Sequence, residues 1–142
     1  MTTKNSSAPN FSKEERAAMK AAAAERKAQL NAAEAEATLQ EAIAKMSGLD
    51  HKLAVAIDKI VKDAAPQLAG KTWYGMPAWA LGDKTVLFFQ SAEKFKTRYA
   101  TLGFSEHAKL DDGDMWPNAY ALVGLTLKVE AQVRELVRRA VS

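Results

Sequence analysis

The chain has 142 residues, 48% of them hydrophobic, which is one domain's length with room for an appendage. Twenty Lys and Arg (20) against 17 Asp and Glu leave a net charge of +3, too small a surplus to predict nucleic-acid binding. The absence of cysteine excludes disulfides, thiolate metal sites and thiol nucleophiles and fits a reducing cytoplasm, and no apolar run is long enough to predict a membrane span.

Met1 to Asn10 is polar and rich in Ser, Thr, Asn and Pro, with no stretch of signal-peptide type, so 1–11 is expected to be a disordered tail. Ser12 and Glu15 have capping-box spacing and predict a helix start. Residues 12–46 form an Ala-rich charged helical extension in which Met19 and Leu30 are too few to make a buried stripe. Leu39, Ile43 and Met46 share one helical face and predict that its end docks on the domain.

The domain itself is expected over 47–142. Ser47-Gly48 breaks the first helix, and Ser47 with Asp50 has the spacing of a second cap. Leu49, Leu53, Ala56, Ile57, Ile60 and Val61 then give an amphipathic helix that Pro66 and Gly70 terminate. Beyond Lys71 the period shortens. Thr72 to Leu81 and Thr85 to Ser91, separated by Gly82-Asp83-Lys84, predict a β-hairpin over 72–91. Pro77 lacks the N–H a central strand needs, so the first strand is expected at an edge or bulged at Gly75-Met76-Pro77. Arg98 to Phe104 and Ala119 to Leu125 predict further strands, with a helical turn over Ser105 to Leu110 between them. Thr126 caps a last helix carrying Val129, Val133, Leu136, Val137 and Ala140 on one face. The expected class is α+β: an antiparallel sheet of four to five strands packed by N- and C-terminal helices in two layers.

Two short matches carry no chemistry. Gly70-Lys71-Thr72 has Ala65 where a phosphate loop needs glycine, and it follows a helix rather than a strand. Ser91-x-x-Lys94 lacks the companion motifs of penicillin-binding enzymes. Three other groups are candidates. His107, Asp111, Asp112 and Asp114 combine imidazole with hard carboxylate oxygens and could hold a metal; their alternative is a solvated turn-rich loop. Lys94, Lys96 and Arg98 alternate with Phe95, Thr97 and Tyr99, so that on a strand they would form a basic stripe for an acidic partner, or simply its solvated face. Trp73, Tyr74, Met76, Pro77 and Trp79, with Phe88 and Phe89, make an aromatic-dense hairpin. Strand alternation puts Trp73, Pro77 and Trp79 on one face and Tyr74 and Met76 on the other, one set being core and the other lining a groove or interface. Two histidines far apart assemble no nucleophile–base pair, so an enzyme is not expected.

The run Trp73-Tyr74-Gly75-Met76-Pro77-Ala78-Trp79, then Val86 to Phe89 and Tyr120 to Leu125 before the last helix, resembles the YdhG-like family, a bacterial domain mostly of unknown function. Tyr74-Gly75-Met76-Pro77 matches its Tyr-Gly-Met-Pro signature, and the resemblance covers about Leu49 to Ser142. The extension, Phe88-Phe89-Gln90-Ser91 and Asp111-Asp112-Gly113 look like actinobacterial members. The resemblance implies a frataxin-like fold and, for some members, an iron chaperone. By this reading the chain is a non-enzymatic cytoplasmic module that binds or delivers iron or a small ligand. The alternative is a protein-interaction module docking through the hairpin 72–91.

Overall fold

A computed structural model describes residues 11–142. The expected tail over 1–11 lies, up to Asn10, outside the described residues. The chain falls into two units, Met1–Ala33 and Glu34–Ser142. Helix α1 (Lys13–Ala44) opens with a closed capping box. The Ser12 N–H donates to Glu15 Oε1 at 2.9 Å and the Glu15 N–H to Ser12 Oγ at 3.1 Å. The Ser12 N–H, with the Ser12 hydroxyl beside it, holds the Glu15 carboxyl below the usual carboxylate range. Met19 and Leu30 are exposed, as expected of a stretch with no apolar stripe.

In the second unit, α1 ends with Leu39 and Ile43 buried and Met46 half-buried against the core. Next come α2 (Gly48–Ala64), β1 (Ala69–Trp73), β2 (Met76–Leu81), β3 (Lys84–Gln90), a one-turn helix α3 (Ala92–Phe95), β4 (Ala100–Phe104), β5 (Ala119–Leu122) and α4 (Leu127–Ala140). The strands form one antiparallel sheet in chain order, β1-β2-β3-β4-β5. The fold is α+β with a five-stranded sheet, as the element pattern predicts. Thr126 caps α4 through the Val129 N–H at 3.1 Å.

Helices cover one face of the sheet. Leu39 and Ile43 of α1, Leu53, Ile57 and Val61 of α2, and Val133 and Val137 of α4 share one core with Trp79, Leu87, Phe89, Leu102 and Phe104 of the sheet. A core of this kind supplies most of the stability, at about 25 cal/mol per Å² of apolar surface buried. Among the described residues, no helix is long and apolar enough to cross a membrane.

Several expectations are corrected. Thr72 to Leu81 is not one strand, because it is cut by a two-residue turn at Tyr74 and Gly75. Both have positive φ (51° and 77°), which is the pattern of a type I′ hairpin. Pro77 therefore lies neither at an edge nor in a bulge. It pairs with Thr72 of β1, while the β2–β3 register starts one residue later at Ala78↔Phe88, so its missing N–H falls outside that ladder. The sheet's irregularity lies instead between Trp79 and Ala80. Gly70 belongs to β1 rather than to a helix end. The expected helical turn over Ser105 to Leu110 is reduced to one hydrogen-bonded turn, in which the Ala108 N–H donates to the Ser105 carbonyl at 3.1 Å, and no helix follows it. Nor do Lys94, Lys96 and Arg98 lie on a strand. They belong to α3, its left-handed cap Lys96 (φ 55°) and the loop before β4.

Candidate binding site

The turn at Tyr74-Gly75 reverses the expected facing of the aromatic residues. Cross-strand partners share a face, so Trp73 lies with Met76, Ala78 and Phe88, while Pro77 and Trp79 lie on the helix side. Trp79 is wholly buried, and its indole N–H donates to Asp58 Oδ1 of α2 at 3.0 Å. Pro77 is fully buried and Met76 nearly so. Trp79 and Pro77 of the expected docking face are buried under the helices, because the hairpin turn comes two residues before Pro77 rather than five residues after it; Met76 is buried on the opposite, open face.

The open face carries what remains. Met76 and Ala78 are buried beside their cross-strand partners Trp73 and Phe88, whose ring centroids are 5.2 Å apart. The Phe88 ring lies over Gly103, where a Cβ would overlap it, so glycine at this position makes room for the ring. Tyr74 meets Trp73 edge-on, with centroids 4.8 Å apart, and is 82% exposed. Lys71 pairs with Ala78 and so borders the same face. The result is a continuous aromatic surface of Trp73, Tyr74 and Phe88 with a cation at its edge.

Lys94 sits behind this turn. Its ammonium donates to the Gly75 carbonyl at 3.4 Å, and a Cβ at position 75 would lie 2.8 Å from that nitrogen. Glycine is required here by its φ, whereas the flexible end of Lys94 could move aside for a Cβ. The helix α3 that presents Lys94 is anchored from α2. Asp50 accepts hydrogen bonds from the Ala92 and Glu93 N–H groups, each at 3.0 Å, and the Ser47 hydroxyl donates to Glu93 Oε2 at 3.3 Å. Ser47 and Asp50 had the spacing of a cap for α2, yet Ser47 makes no side-chain cap there and both residues serve α3. Arg98 stacks on Tyr99 at 5.2 Å, and Lys96 is exposed.

The acidic loop is not assembled as a metal centre. Asp111 and Asp114 border a shallow cavity of about 430 Å³ with Glu106, whereas His107 and Asp112 do not line it. His107 Nε2 lies 3.9 Å from Glu106. Among the described residues, no group of three or more His, Asp or Glu side chains is placed to hold a metal ion. The donors do not fit the iron that the family resemblance implies, because among the described residues no three of them are placed to hold one ion. The other histidine is also engaged: His51 Nδ1 is 3.0 Å from the Ile43 carbonyl. No family model matches the chain, and no curated protein or solved structure matches it.

Proposed function

We propose that the chain is a non-enzymatic cytoplasmic binding module of YdhG-like type, and that it docks a protein partner through the open aromatic face of its sheet. The family reading rests on Tyr74-Gly75-Met76-Pro77, which makes the β1–β2 turn and the start of β2, and on the amphipathic helix that follows the last strand. The observation that carries the docking reading is the state of Tyr74. A bulky residue in the left-handed region costs about 1–2 kcal/mol, and Asn, Asp or Gly would occupy this turn position more cheaply. Tyrosine is nevertheless there, exposed and stacked on Trp73. Backbone strain that holds an exposed aromatic ring in place is a mark of a recognition surface. Lys71 at the border favours a partner segment with acidic side chains around an apolar anchor.

The test is a selection of peptides from a random display library on the immobilised chain. Enriched peptides should combine Asp or Glu with an aromatic or aliphatic anchor, and Tyr74→Asn should abolish their binding. Because Asn relieves the turn while losing the contact with Trp73, its stability should stay within about 1 kcal/mol of wild type in urea denaturation. Peptides that bind Tyr74→Asn as well as wild type would overturn the reading.

A further inference from the structure

A cavity of about 350 Å³ lies between the end of α1, the β1–β2 turn and α3. Its size is at the small end of ligand sites, which run from about 300 to 1,000 Å³. Along the end of α1 and the residue after it, Thr38, Glu41, Ala42 and Lys45 follow i, i+3, i+4, i+7 spacing and form one wall. Thr72, Gly75, Glu93 and Lys94 belong to the other side. Three carboxylates (Glu41, Asp50 and Glu93) and two ammonium groups (Lys45 and Lys94) thus line one small space, and both oxygens of Asp50 are taken up by the Ala92 and Glu93 N–H groups.

Among the described residues, none of these five charges enters an ion pair, and the four other than Asp50 keep their charge available to a ligand. That is unexpected for Glu41 and Lys45, whose i,i+4 order is the favoured one for pairing on a helix. Where Glu93 and Lys94 are held, neutral groups hold them: the Ser47 hydroxyl on the Glu93 carboxylate and the Gly75 carbonyl on the Lys94 ammonium. Such contacts fix a charged head without neutralising it. Ala42 and Met46 add an apolar patch to the lining. The complementary ligand carries both signs of charge a few bonds apart, with a short apolar portion.

We propose that this cavity binds a small zwitterion of the α-amino acid class, its carboxylate received by Lys94 and Lys45 and its ammonium group by Glu41 and Glu93. The site lies on the opposite side of the Tyr74-Gly75 turn from the aromatic face and does not depend on the docking reading.

The experiment is thermal unfolding of the full chain with each common α-amino acid, alongside the N-acetyl acid and the amino amide of each. A bound ligand raises the unfolding temperature in proportion to its occupancy of the folded state. At least one free amino acid should raise it, while its N-acetyl acid and its amide, each lacking one charge, should not. Lys94→Met and Glu93→Gln alter exposed side chains and should unfold as wild type does without ligand. Each should weaken binding at least about tenfold, the loss expected for one charge-assisted hydrogen bond. A chain that responds to no amino acid, responds equally to the N-acetyl acids, or keeps full affinity in both variants would overturn the proposal.

Discussion

Trp79 and Asp58 show how one pair of residues ties three elements together. Asp58 is nearly buried on α2. Its Oδ1 accepts from the Trp79 indole at 3.0 Å, and its Oδ2 accepts from Gln40 of α1 at 2.9 Å and from Lys62 at 3.0 Å. A buried carboxylate is tolerable only when its lone pairs are filled, and here the donors come from a helix, a strand and its own helix. Replacing Trp79 by Phe keeps most of the packing but removes one donor, so it should cost about 1–3 kcal/mol. Trp79→Ala also empties a large core site and should cost about 3–5 kcal/mol. Urea denaturation of the two variants separates these contributions; equal losses would show that the hydrogen bond, and not the ring, carries the stability.

At the scale of elements, α3 is too short to sustain itself. A single turn fixes several backbone dihedrals for one hydrogen bond. Its N-terminal N–H groups are bound by Asp50, 42 and 43 residues earlier in the chain, and its end is closed by Lys96 in the left-handed region. Asp50→Ala should therefore act on α3 rather than on its own helix. Two donors lose their acceptor, the global cost should be about 1–2 kcal/mol, and the amides of Ala92 and Glu93 should exchange faster with solvent. Unchanged exchange at those amides would mean that α3 is held by its packing instead. The same tether makes Lys94 available beside the Gly75 carbonyl, so the turn, α3 and the start of α2 form one structural unit.

Across the second unit, ion pairs on the helix layer join elements distant in sequence. Lys62 of α2 bonds Glu36 of α1 at 2.6 Å, and Arg134 of α4 pairs with Asp63. Partial burial lowers the Lys62 pKa, but its hydrogen bonds to Glu36 and Asp58 outweigh this and raise it above the usual lysine value. Since the folded-state pKa exceeds the unfolded one, the contribution of Lys62 to stability is fully present at neutral pH. It is lost as pH rises through the folded-state value. Thermal unfolding from about pH 9 to about pH 11.5 should show wild type falling towards Lys62→Met as the ammonium deprotonates. A difference that stays constant over that range would exclude the ion pairs as its source. Half the Lys62 side chain's accessibility remains, so solvent and salt should screen the effect.

Features that depend on a few neighbouring residues were legible before any coordinates. The Ser12–Glu15 box, the Thr126 cap, the docking of Leu39 and Ile43, and the buried faces of α4 and of α2 from Leu53 onward all follow from spacings of three or four residues, and hydrogen bonds of that reach form within one segment; Leu49, expected on the buried face of α2, is exposed in its first turn. The helix layer on an antiparallel sheet followed from the order of those segments. The hairpin turn was harder to read, because Thr72 to Leu81 is strand-like throughout and Tyr-Gly is a weak turn signal beside Asn-Gly; the clue was a run of ten residues, long for one strand. Moving the turn changed the face of every residue after it, which turned Trp79 from a candidate contact into core. The partners of Asp50 and Asp58, the aromatic surface over Gly103 and the cavity beside Lys94 were decided only by tertiary structure. Each joins groups that lie from about fifteen to more than fifty residues apart, and which distant groups meet depends on how the whole chain closes, not on the spacing within any one segment.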